Sequence, residues 1–436
     1  MSKRILFVGF CVLLLLNLLQ AVNAAPKVGS GGIDETGEIN GAPYRIVVPE
    51  TWNGTLLVYA HGYRDKADHP GEVDNRNPDI VPGNTPAQQM TLATALLSQG
   101  YALAGSAYRD NGWEVEGGIH DTKDLAVYFR ANIAQPQRTI IWAFSMGTVI
   151  GFKSMERFNG IYDGALCACA VGAGATQSWD GAGDLALAYD TVFGSLPTWG
   201  TVGDVRDDID FDTEVFPKLF GEVNVPANFP KFEFIRLVTG TPGRGITPPN
   251  PPNFYPGWIF TDMFFATEAR AELERRARGP IVQNLDRDYN LTAAERGYLM
   301  GLGITSAVID NWLAMMNGQR FVSPPKFSRN YVERNANYNG KIRNPILTMH
   351  TIVDPLVTVS QEFEYAETIA ANRRSSLLFQ TYTTGVGHCN FTGTQLITAV
   401  NAINAWVATG VRPTNANFPA ASGFNQSFIP PPMNQP

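Results

Sequence analysis

The strongest constraint on this chain is an alternation of two periodicities. Apolar, β-rich runs occur at 44–48, 55–60, 101–107, 139–144, 164–171, 345–350 and 376–382. Helix-period stretches lie between them at 85–98, 121–134, 147–157, 359–371 and 394–408, and Gly100 and Gly410 stand where two of these should stop. Several strand runs are almost continuously hydrophobic, as expected when both faces of a sheet are covered. The pattern predicts an α/β fold with a mostly parallel sheet and helices on both sides. Parallel crossovers gather loops at the carboxyl edge of such a sheet, where sites form.

The alternation breaks between Val171 and Pro345. That span carries Thr241-Pro242-Gly243 and Pro248-Pro249-Asn250-Pro251-Pro252, helix-like stretches at 261–278, 292–302 and 306–316, and many aromatic residues. An unstructured loop of that length inside a compact domain is improbable. The expectation is a helical cap at 176–339 inserted into a core made of 25–175 and 340–412; an added packing layer is the alternative. The Asn- and Pro-rich stretch 413–436 is expected to run irregularly over the surface.

The amino terminus reads as an export signal. Lys3 and Arg4 precede an apolar run at 5–19 and then Val22-Asn23-Ala24, which predicts cleavage after Ala24. The run is shorter than the ~20 residues that span a bilayer, and no other stretch would insert. The expected location is secreted, either extracellular or periplasmic. Loss of Lys3 and Arg4 takes the formal charge from −7 to −9. An acidic surface argues against nucleic acid or anionic membrane as partner. Cysteines 167, 169 and 389 would remain, so an oxidising compartment predicts one disulfide and one leftover thiol. The five histidines (61, 69, 120, 350, 388) show no ligand spacing with a cysteine pair, and no glycine-rich phosphate loop follows a strand. Neither a metal nor an organic cofactor is expected.

Three residues carry chemistry. The run at 139–144 leads directly into Ser145, and Ala143-Phe144-Ser145-Met146-Gly147 has small residues two positions either side of the serine. A strained strand-to-helix turn that exposes a nucleophile needs that spacing. Asp354 follows the run at 345–350, on the loop Thr351-Ile352-Val353-Asp354-Pro355. His388 lies in Gly385-Val386-Gly387-His388, after the last run. A serine hydroxyl needs an imidazole to take its proton, and the imidazole needs a carboxylate to orient it. All three would sit on one sheet edge. An oxyanion needs donors, and His61-Gly62-Tyr63 at the end of the run at 55–60 supplies a turn. The backbone amides of Tyr63 and Met146 are the expected pair.

Together, Leu57-Val58-Tyr59-Ala60-His61-Gly62, Ala143-Phe144-Ser145-Met146-Gly147, Asp354 and Gly387-His388 resemble the α/β-hydrolase superfamily. The resemblance covers roughly 44–171 and 345–408. It implies Ser145 as nucleophile, His388 as general base and Asp354 as its orienting acid. Trp52-Asn53-Gly54, the stretch Tyr108-Arg109-Asp110-Asn111-Gly112-Trp113 and Gly387-His388-Cys389 are similar to secreted bacterial esterases and lipases of this superfamily. Ala143 stands where glycine is usual. Cys389 adjoins the expected base, so a disulfide could tie that loop to Cys167 or Cys169. Two apart on one strand, these would face the same way, and the sequence does not choose between them. His69 and His350 show no partner pattern.

The expected function is a secreted serine hydrolase of small-molecule or polymeric carboxylic esters. The rivals are a serine peptidase of the same fold, with Glu333, Glu268 or Glu274 holding a peptide terminus, and a non-catalytic binding protein on the same sheet. Oligomeric state is not legible.

Overall fold

The computed structural model describes residues 32–242, 257–320 and 324–433. The leader expected at 1–24 and the proline cluster at 248–252 lie outside the described residues. The sheet strands are β1 (Gly32–Ile39), β2 (Ala42–Pro49), β3 (Thr55–Ala60), β4 (Ala102–Ser106), β5 (Arg138–Phe144), β6 (Gly164–Ala168), β7 (Ile346–Val353) and β8 (Leu378–Val386). They form one 8-stranded sheet in the order β1-β2-β4-β3-β5-β6-β7-β8. β2 runs antiparallel to both its neighbours, and every other pairing is parallel. That order and that single reversed strand define the α/β-hydrolase fold.

Burial explains the apolar runs. Every residue of β3 is buried, and so is every residue of β5 after Arg138, because helices cover both faces. One face packs α2 (Val115–Tyr128) and α3 (Met146–Arg157); the other packs α1 (Pro86–Ser98) and α13 (Gly393–Thr409). α12 (Gln361–Ala371) connects β7 to β8. The expected helix at 121–134 starts earlier, at Val115, and closes with a wider π turn over Phe129–Ile133.

Three differences from the sequence reading have physical causes. β1, with the sequence GIDETGEI, was not foreseen: it is a hairpin edge strand that lies largely exposed and needs no apolar face. β6 ends at Ala168 rather than continuing to 171, because Cys169 turns into the left-handed region at φ 48°. The helical stretch at 261–278 is two helices, α7 (Gly257–Ala266) and α8 (Glu268–Ala277), broken at Thr267.

Between β6 and β7 the other described helices are α4 (Ala175–Phe193), α5 (Phe216–Val223), α6 (Phe229–Val238), α9 (Ala293–Gly301), α10 (Ser306–Gly318) and α11 (Lys326–Ala336). They share one continuous apolar core with a face of the sheet. A polar clamp adds to this. Arg276 on α8 bonds Glu272, Glu114 and Asp110, and Glu272 accepts the Trp113 amide at 2.9 Å. The stretch Asp110–Trp113 therefore fastens the helices between β6 and β7 to the sheet. No helix among the described residues is long and apolar enough to cross a membrane.

Candidate active site

Ser145 sits between β5 and α3 with φ 54° and ψ −129°, a conformation that costs an L-residue energy. It occupies the cap position of α3, yet its hydroxyl caps nothing there. Its Oγ lies 2.8 Å from Nε2 of His388 instead. Packing requires the small residues around it. A Cβ on Gly147 would lie 2.1 Å from the Ala60 carbonyl oxygen, and one on Gly62 would meet the Ser145 Cβ at 3.1 Å. Because the Gly147 obstacle is backbone, Gly147→Ala should lower unfolding stability by about 1–3 kcal/mol. It should also slow covalent labelling of Ser145. Wild-type melting and labelling rates in that variant would overturn this account of the turn.

Asp354 follows β7 directly and is fully buried. Its Oδ1 accepts the amides of Leu356 and Val357 at 3.1 and 3.0 Å, and its Oδ2 faces Nδ1 of His388 at 2.8 Å. His388 follows β8. Its loop is tied to β7 through the Gly387 amide on the Val353 carbonyl and the Thr351 hydroxyl on the Gly387 carbonyl. The structure thus brings Ser145, His388 and Asp354 into one hydrogen-bonded chain.

A second histidine reaches the same acid, against the expectation that His350 has no partner. His350, fully buried on β7, places Nε2 2.8 Å from the Val357 carbonyl oxygen and 3.5 Å from Asp354 Oδ2. Its Nδ1 faces Glu362 Oε1 at 3.3 Å, and Glu362 accepts the Thr348 hydroxyl and Gln380 Nε2. Burial alone would lower the His350 pKa, but Asp354 and Glu362 override it and push it up to about 10. Burial would likewise raise Asp354, but His388 and His350 hold its carboxyl well below the usual range. His350 and Glu362 are what the sequence reading missed. The histidine ends an apolar run and the glutamate lies on a helix, so neither carried a motif.

This arrangement has a pH signature. A histidine raised in the folded state stabilises fully below its unfolded value of ~6.5, and that contribution is lost as pH rises through the folded value. Unfolding stability should therefore fall between about pH 6.5 and 10. The slope should be shallower in His350→Gln, measured by denaturant titration. Equal slopes would show that His350 gains no proton on folding.

Tyr63, Ser145 and Met146 line one cavity of about 140 Å³, so the two residues expected to supply oxyanion amides border the hydroxyl. Its other walls are largely apolar and come from both parts of the chain: Trp113, Trp179, Leu185, Phe265, Leu356 and Val357 among others. Asp262 on α7 is also in the lining. The three acids considered for a peptide terminus are elsewhere. Glu333 is exposed, Glu268 accepts the Phe211 amide, and Glu274 pairs with Arg270 and accepts the Ile281 amide. His61 is structural. It stacks on Tyr108 at 3.9 Å, and burial depresses its pKa, which keeps it neutral.

Cys169 and Cys389 form a disulfide spanning 220 residues, and Cys167 is a buried free thiol. The two candidates do not face the same way. Cys167 points into the core beneath α3, whereas Cys169, past the strand end and at positive φ, packs on the opposite face. The disulfide fastens the residue next to His388 to the end of β6. Closing so long a loop is worth about 2–5 kcal/mol. Reduction, or Cys169→Ala with Cys389→Ala, should lower the melting temperature and reduce turnover; unchanged melting would refute the anchor.

No protein-family model matches the chain. Among curated proteins it is similar to o-phthalyl amidase of Xanthobacter agilis, with 22% identity over 423 residues, spanning 87% of this chain and 88% of that protein. Among solved structures it is similar to feruloyl esterase B from Aspergillus oryzae, at TM-score 0.40 and 13% identity, covering 88% and 80% of the two chains. An esterase from Pyrococcus furiosus is similar at TM-score 0.38 and 12% identity, covering 88% and 93%. The fold assignment rests on the strand order itself.

Proposed function

We propose that this chain is a secreted serine hydrolase that cleaves carboxylic esters through an acyl-enzyme. The observation that carries the reading is the chain from Ser145 Oγ to His388 Nε2 at 2.8 Å and from His388 Nδ1 to Asp354 Oδ2 at 2.8 Å. Asp354 fixes the tautomer that leaves Nε2 free to accept. Nε2 takes the hydroxyl proton as Oγ attacks the ester carbonyl, and the charge that develops on the imidazole faces a buried carboxylate. The carbonyl oxygen turns toward the amides of Tyr63 and Met146, and His388 returns the proton to the leaving alkoxide. Water then repeats the sequence on the acyl-serine. The apolar cavity suits a carbon-rich substrate group, and the helices between β6 and β7 act as a cap that supplies its aromatic wall. The leader supports export.

The test is an acyl-chain series of p-nitrophenyl esters with fluorophosphonate labelling of the serine. Labelling with chain-length-dependent turnover is expected; a protein that takes no label and turns over no ester would sink the reading. An amide substrate is the second reading, favoured by the likeness to an enzyme named as an amidase. Ester and amide of matched acyl group separate the two. Polymer films report whether polyesters are substrates.

A further inference from the structure

We infer that Asp262 makes the cavity a receptor for a cationic nitrogen, so that preferred substrates carry an ammonium group on the part that fills it. This deepens the ester reading and rests on it. Asp262 lines the cavity that holds Ser145, is only 7% exposed, and its Oδ1 has no hydrogen-bond partner. An unpaired buried carboxyl costs stability, and nothing in the described fold offsets that cost. Among the described residues lining the cavity, none is a lysine, arginine or histidine.

Three properties of the cavity select the same charge. Burial, and after it repulsion by nearby Asp354, holds the Asp262 carboxyl well above the usual range, so the site resists a second negative charge. An anionic substrate would meet Asp262 with no lining cation to offset it. The aromatic wall acts in the same direction. Tyr63 packs on Phe265 at 5.2 Å, Phe265 on Trp179 at 6.2 Å, and Trp179 on Trp113 at 5.1 Å. The faces of such rings attract cations and repel anions. A neutral acyl chain would fill the space but leave Oδ1 unpaired. A bound ammonium pairs with it: the carboxyl O–H bond breaks, the proton passes to solvent, and the carboxylate and ammonium remain as an ion pair.

Two isosteric pairs test this. One is the acetate ester of 2-(trimethylammonio)ethanol against 3,3-dimethylbutyl acetate, with the charge on the alcohol side. The other is the p-nitrophenyl ester of 4-(trimethylammonio)butanoate against that of 5,5-dimethylhexanoate, with the charge on the acyl side. In at least one pair the charged member should have kcat/KM higher by roughly tenfold or more, and Asp262→Asn should bring that ratio near one. Equal turnover within both pairs by the wild type, or a ratio that survives in Asp262→Asn, overturns the inference. If that variant does not fold, inhibition of wild-type p-nitrophenyl acetate hydrolysis by phenyltrimethylammonium decides. Competitive inhibition stronger than by its neutral tert-butyl isostere supports the site, and equal inhibition overturns it. Fluorophosphonate labelling keeps the two claims apart: a labelled protein without charge preference loses this inference alone, whereas an unlabelled, inactive protein loses the ester reading as well.

Discussion

Ser145→Ala is expected to lower kcat on p-nitrophenyl esters by about a millionfold, to a rate set by substrate positioning alone. The size follows from what remains. His388 and Asp354 would still pair, but no oxygen would sit 2.8 Å from Nε2 to attack the carbonyl. The hydroxyl caps no helix, so its removal should leave the melting temperature near that of the wild type. Fluorophosphonate labelling should vanish completely. Turnover within tenfold of wild type, in a protein that no longer takes the label, would mean that another group does the chemistry.

Asp354→Asn should be the next most damaging change, at about 10⁴-fold in kcat with a smaller effect on KM. An amide at that position can present its NH₂ to Nδ1 and favour the tautomer that has lost its acceptor toward Ser145. Here the substitution also removes the carboxylate beside His350, leaving that buried imidazole with Glu362 alone as acidic partner. Labelling should be slowed rather than abolished, which distinguishes this variant from Ser145→Ala. The alkaline loss of stability should also shrink, because less holds the His350 proton. A variant that labels at the wild-type rate would remove Asp354 from the proposed mechanism.

Strand positions were legible because parallel strands buried on both faces leave long apolar runs, as β3 and β5 do. The positions of Ser145, Asp354 and His388 after such runs could be read for the same reason. What was hidden lacked that pattern. β1 is mostly exposed and polar, and α4 is buried on so many sides that no amphipathic stripe marks it. Asp262 was masked by its neighbours Trp258, Ile259, Phe260 and Met263, which make α7 look like plain core. His350 looked like a strand residue, and its role depends on Glu362, twelve positions away on another element. The orientation of Cys169 turns on a single backbone angle, which side-chain periodicity cannot reveal.

The bond between Cys169 and Cys389 also couples chemistry to cellular geography. While both sulfurs remain thiols, the imidazole loop is held by noncovalent contacts alone, among them its hydrogen bonds to β7 and to Asp354. Oxidation adds a covalent strut beside the base. A chain kept in a thiol-rich compartment would therefore lack that strut beside His388. If the proposed export holds, passage into an oxidising space would add the strut only once the chain has left the cytosol.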